Sequence, residues 1–350
     1  MSDAACLAAR EEQDEVEEQR KELLSLFRNT AKLNFADALQ FAASKLQAVL
    51  ASAGAVPGAA AGSLANGLCG SPPQLGSSKL GAAGSSSSSK FQDTELAVTL
   101  VYELGEGAPE EALKAGSGGL AQLVMLLLGQ AASLPAGQHR LVALAVLETC
   151  VRYCKLLQHH QDTIPAVCGL FLGSKGLGHP SPSVAIRAAY LFSRLVKTLR
   201  GNLRQYAGSI MQQLQPYLEV VATRPPPSTA AAGTNRETAG GRAPSAAVID
   251  DRLYVFESLG LLLGQDELPP DQQLAALQQL LMPLTRQIET NLGPAAAEAA
   301  AGSSSGSSSW AIMQSLEAIA RLNKGFKWEL CTRSRPQIGA WPVRHYFRLV

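Results

Sequence analysis

Apolar residues recur at helical spacing in every patterned segment of this chain, and nowhere do they alternate with period two between hairpin turns. That pairing of observations restricts the fold to helices, because a strand with one buried face must alternate. Residues 8–50 read as two helices. The first is heavily charged over 11–22 and then supplies Leu23, Leu24, Leu26 and Phe27; the second carries Phe35, Leu39, Leu46 and Leu50. Helical patterning resumes at Asp93 and continues to Ala222, punctuated by glycine and proline at 105–109, 116–119, 134–137, 173–182 and 201. Further helices are expected at about 250–264, 270–292 and 310–324. Composition agrees: hydrophobic residues are 46 % but aromatics only 5 %, and much of the remainder is Ala and Leu, which lose little entropy in a helix.

Successive helices joined by short turns, without an exact repeat, predict a HEAT-like α-solenoid: a superhelix of antiparallel helix pairs. Each pair has a face it cannot bury alone, and its neighbour supplies the cover. The layout is then a helical pair at 8–50, HEAT-like repeats at 91–222 and 248–292, and a helix at 310–327. Low-complexity insertions at 51–90, 223–247 and 293–309 are expected to be disordered, being too poor in large apolar residues to offset their ordering entropy. Residues 328–350 form an atypical tail.

The charge balance of 30 basic against 29 acidic residues selects no partner, so the distribution of charge carries the argument. The six cysteines are scattered without a C-x-x-C pair, which points to a reducing compartment. The N-terminus turns acidic at once, unlike a leader sequence, and the apolar stretch 120–128 is too short to span a bilayer. No membrane insertion is expected.

One helix concentrates charge. Over 183–204, at about 100° per residue, Val184, Ala188, Leu191, Phe192, Leu195, Val196 and Leu199 fall on one arc. Arg187, Arg194, Lys197, Arg200 and Arg204 share the opposite arc, no acid occurs in the segment, and Gly201 is placed to bend its end. Such a stripe suits a phosphate backbone, where each neutralised phosphate releases counterions. A solvated face, or ion pairs to the next helix, is the plainer account. Other constellations are weaker. Cys150 and Cys154 with His159, His160 and Asp162 have zinc-ligand chemistry, but Cys150 sits in an apolar run where a buried thiol is expected. Gly169 to Lys175 lacks the Gly-Lys-Ser/Thr order of a phosphate loop, and no histidine is set with a carboxylate and a nucleophile. No catalytic residue, metal or cofactor is expected, so the chain reads as a binding scaffold and not an enzyme.

Five collinear runs resemble the exportin-T family, the karyopherins that export transfer RNA. They are Glu17 to Leu24, Leu147 to Lys155, Arg187 to Lys197 (RAAYLFSRLVK), Asp250 to Glu257 (DDRLYVFE) and Leu280 to Leu284. The resemblance spans about residues 10–326 and corresponds to the central part of the family protein. It implies a HEAT-repeat superhelix that wraps transfer RNA together with the GTP-bound GTPase Ran and carries the RNA through the nuclear pore to the cytoplasm. Nuclear pore proteins are then further partners, and the protein shuttles between nucleus and cytoplasm. By the same resemblance, the family's main Ran-binding region lies outside this chain. The sequence departs from the family pattern after Lys327, as an intron read-through would. A generic HEAT-repeat adaptor for protein partners is the alternative, and salt dependence separates the two.

Overall fold

The computed structural model describes residues 3–52, 89–114, 117–218, 251–264, 269–300 and 307–326, and every regular element among them is helical. The insertions expected at 51–90 and 223–247 and the tail 328–350 lie outside the described residues, apart from helix ends at 51–52 and 89–90. The chain divides into two compact units, Met1–His179 and Pro180–Val350. That boundary falls inside the expected 91–222 block, at the punctuation of 173–182.

The first unit contains α1 (Asp3–Leu33), α2 (Phe35–Ser52), α3 (Ser89–Gly107), α4 (Glu110–Lys114), α5 (Gly119–Gln130), α6 (Arg140–Arg152), α7 (Cys154–Leu157) and α8 (Ile164–Leu172). A single residue, Asn34, separates α1 from α2. Its side chain accepts the backbone N–H of Asp37 at 3.3 Å, the bond expected of an N-cap. The chain reverses there, which brings the Phe27 and Phe41 rings to 6.3 Å.

Helices α1, α3 and α6 lie side by side in one layer, while α2, α5 and α8 form a second. The first layer runs in parallel register. Arg20 pairs with Glu95 at 2.5 Å and Arg28 with Glu103 at 3.4 Å, so two turns of α1 match two turns of α3. Arg152 of α6 then donates to the Tyr102 hydroxyl at 2.7 Å and pairs with Glu106 at 2.5 Å. Between the layers Leu46, Leu104, Leu123, Leu127, Leu147 and Phe171 are fully buried.

The second unit repeats the plan with α9 (Pro182–Leu203), α10 (Ala207–Leu214), α11 (Tyr254–Leu263), α12 (Pro270–Ala300) and α13 (Ser307–Lys324). Helix α11 packs between α9 and α13. The partners Tyr190–Tyr254 and Arg200–Gly264 show that α9 and α11 run parallel. Helices α12 and α13 are antiparallel, since Ser315 donates to Gln287 at 3.1 Å and Ser308 to Glu298 at 3.0 Å. Pairs of antiparallel helices whose first members stack in parallel are the repeat architecture that the helical patterning predicts.

One boundary needs correction. The insertion expected at 293–309 is helical over 293–300, which continue α12 through Pro294, and again over 307–309, which open α13. The segment has the look of low complexity because it is almost entirely alanine, serine and glycine, but its first half is alanine-rich. Alanine is also the strongest helix former, and Glu298 gains tertiary bonds from Ser307 and Ser308.

Candidate nucleic-acid interface

Helix α9 follows Ser181, whose extended backbone precedes Pro182 at the first helical position. Val184, Ala188, Leu191, Phe192, Leu195, Val196 and Leu199 are each 3 % exposed or less, so the apolar arc read from the sequence is the buried one. Regular geometry breaks at Leu199 (φ −98°, ψ 16°), two residues before the glycine expected to bend the helix.

Arg187, Arg194, Lys197 and Arg204 are exposed, and no acid lies on the helix between them. Arg200 differs. It is half-buried, and its Nη2 donates to the carbonyl of Gly264, one of the orphan acceptors at the C-terminal end of α11. It therefore closes a helix end, with less of its guanidinium left for a ligand. Lys197 has no ion-pair partner among the described residues, and Arg194 has none either.

An aromatic centre organises the row. The guanidinium carbons of Arg187 and Arg194 lie 5.2 Å and 6.0 Å from the centroid of the Tyr190 ring. Tyr190 meets Tyr254 edge-on at 5.1 Å, and Arg321 stacks over Tyr254 at 3.8 Å while pairing with Glu317 at 2.8 Å. Each exposed cation–π contact is worth about 0.5–1 kcal/mol. Their use here is to restrict two long side chains to orientations that point away from the core. Sequence reasoning missed this device. Tyr190 was visible as the aromatic between two arginines, but its partner comes from 64 positions further on.

The other constellations do not assemble. Cys150, Cys154 and Cys168 are buried free thiols, His159 and Asp162 are exposed, and no group of three or more metal-binding side chains occurs among the described residues. Burial pushes the thiols of Cys150 and Cys168 up to about 12. In the segment that faintly resembles a phosphate loop, Lys175 Nζ donates to the carbonyls of Ala131 and Ala132, both at 2.7 Å. It caps the end of α5, and burial lowers its pKa.

The exportin-T family model matches residues 77–346. The match takes in most of 328–350, so the expectation that this tail departs from the family is corrected. The chain is 37 % identical over 255 residues to exportin-T of Arabidopsis thaliana, covering 73 % of the chain and 24 % of the relative. It is 32 % identical over 330 residues to exportin-T of Oryza sativa subsp. japonica, covering 94 % and 28 %. Against exportin-T of Homo sapiens it is 30 % identical over 204 residues, covering 57 % and 20 %. The chain thus spans about a quarter of the length of the curated relatives it matches.

Proposed function

The chain belongs to the exportin-T family, and on that premise we propose that it is a section of a nuclear export receptor that binds transfer RNA together with Ran-GTP. The work is stoichiometric binding and release, with no chemistry asked of any side chain. Carriage through the nuclear pore entails contact with nuclear pore proteins and shuttling between nucleus and cytoplasm. The helical units serve as elements of a solenoid that holds both ligands.

Within this section, the observation that supports RNA contact is the row of exposed cations on α9. From Arg187 through Arg194 and Lys197 to Arg204, which directly follows the last residue of α9, the separation is 17 residues, roughly 25 Å at about 1.5 Å per residue. Arg200 contributes less, because one of its donors is committed to Gly264. Arg194 and Lys197, which pair with no acid among the described residues, stand on a packed helix and lose little further freedom on meeting phosphates, and each contact releases counterions.

The test is transfer RNA binding by the full-length protein as a function of salt, with and without Ran-GTP. Arg194→Glu with Lys197→Glu should weaken binding and reduce the slope of log affinity against log salt by about 2, roughly one per lost phosphate contact. Unchanged affinity and slope would return these residues to the role of a solvated face. The same substitutions should leave the helix signal in circular dichroism unaltered, because both side chains are exposed.

A further inference from the structure

Among the described residues, contacts between arginine and tyrosine come in two kinds. In the closed kind the guanidinium rests on the ring: Arg321 on Tyr254 at 3.8 Å, and Arg152 on Tyr102 at 4.0 Å. Each of those arginines also pairs with a glutamate, Glu317 or Glu106. Around Tyr190 the contacts are open. The guanidinium carbons of Arg187 and Arg194 stand off at 5.2 Å and 6.0 Å, beyond the separation at which a planar group covers a ring. Arg194 pairs with no acid among the described residues, and Tyr190 is half-buried.

Tyr190 follows Arg187 by three residues and precedes Arg194 by four, so one face of α9 presents cation, ring and cation in turn. The two arginines are about 10 Å apart along the axis, at about 1.5 Å per residue. The ring between them is held in place. Tyr254 of α11 meets it edge-on at 5.1 Å, and Tyr254 is itself clamped by the buried Arg321. The Tyr190 hydroxyl has no hydrogen-bond partner among the described residues, so its contacts are made by the ring and not the phenol.

A phosphate alone gains nothing from such a ring, whose face carries the negative side of the quadrupole. An unpaired nucleobase gains from every part of the arrangement. Its plane stacks on the tyrosine, a guanidinium covers its other face, and its own phosphates meet the cations on either side. A base between ring and guanidinium needs about 7 Å, twice a contact of about 3.5 Å. Arg194, at 6.0 Å, stands about 1 Å short of that opening, within the swing of one exposed side chain. We propose that Tyr190 is a stacking platform for one unpaired nucleobase of a bound RNA, with Arg194 closing over the base and Arg187 holding a neighbouring phosphate. The proposal rests on the reading of α9 as an RNA-binding face. It adds a preference for RNA with an unpaired nucleotide at this point, because a base stacked inside a duplex has no free face to offer.

The test uses the whole chain and a short oligouridine RNA with a central 2-aminopurine, whose fluorescence is quenched when that base stacks. Binding should be saturable and should quench the probe. A strand of the same length and charge without bases should bind at least about fivefold more weakly. Tyr190→Leu should weaken the 2-aminopurine strand by about 5- to 100-fold and abolish the quench. The slope of log affinity against log salt should stay as it was, because no charge is lost. Tyr190→Phe keeps the ring and should match the parent in affinity and quench. The proposal is overturned if the strand without bases binds as tightly as the one with them, a comparison that needs only the parent chain. It is equally overturned if Tyr190→Leu folds and keeps both affinity and quench. A reduced salt slope in Arg194→Glu with Lys197→Glu, beside a silent Tyr190→Leu, would leave α9 an RNA face and remove the stacking alone. Were both silent, both readings would fall.

Discussion

Two helical glycines, one buried and one exposed, offer a sharp test of the packing. Gly260 lies inside α11 and Gly169 inside α8, so helix propensity alone says that alanine should stabilise either by about 1 kcal/mol. At Gly169 a Cβ meets nothing within 4 Å, and that gain should be realised. At Gly260 a Cβ would fall on the carbonyl oxygen of Leu322, 2.9 Å from its carbonyl carbon and 3.3 Å from Gly325 Cα. Those atoms are the backbone of the neighbouring segment and cannot rotate aside, so α11 and α13 must separate. Overpacking of this kind costs about 3 kcal/mol, which leaves a net loss of about 2 kcal/mol after the propensity gain. For a compact unit of the size of either one here, that is a fall in melting temperature of roughly 4–8 °C, against a rise of a few degrees for Gly169→Ala. Thermal unfolding followed by circular dichroism reads both. Gly325→Ala should be as damaging as Gly260→Ala, and the double variant should cost clearly less than their sum, since the helices separate only once. If Gly260→Ala melts at or above the parent temperature, the close approach of α11 and α13 is wrong.

Leu195→Asp would bury an unpaired charge at a position with no exposure and should destabilise the second unit by more than about 3 kcal/mol in urea titrations, whereas Arg194→Glu beside it should change stability by less than about 0.5 kcal/mol. Cys150 and Cys168, with thiols pushed up to about 12, should resist aromatic disulfide reagents at neutral pH until denaturant is added. Glu103 has its pKa raised mainly by desolvation, despite Arg28 and Arg152 nearby. The native state therefore takes up its proton before the unfolded chain does, and its contribution to stability declines as pH rises from about 4.5 through the raised native value. Glu103→Gln should remove that slope from a series of urea midpoints and be no less stable than the parent at neutral pH. A marked loss of stability there would show that the ion pair with Arg28 outweighs the burial.

The helices and the buried face of α9 were legible in the residues alone, because period is a local property that needs no knowledge of the neighbour. The family was legible too, since five short runs keep their order across the insertions. What the residues could not show was how a side chain is used once a distant helix arrives. Five cations look alike on a helical projection, yet Arg200 is withdrawn because α11 presents an unbonded carbonyl beside it. An alanine-rich stretch reads as filler until α13 packs along α12 and the segment becomes two more turns of helix. Gly208 and Gly260 are the same residue in the same secondary structure, one beside open space and the other admitting a neighbouring backbone. In each case the deciding term is a short-range contact between groups far apart in sequence. Such contacts fall off within a few ångströms, so only the positions taken up by the packed helices determine which of them exist.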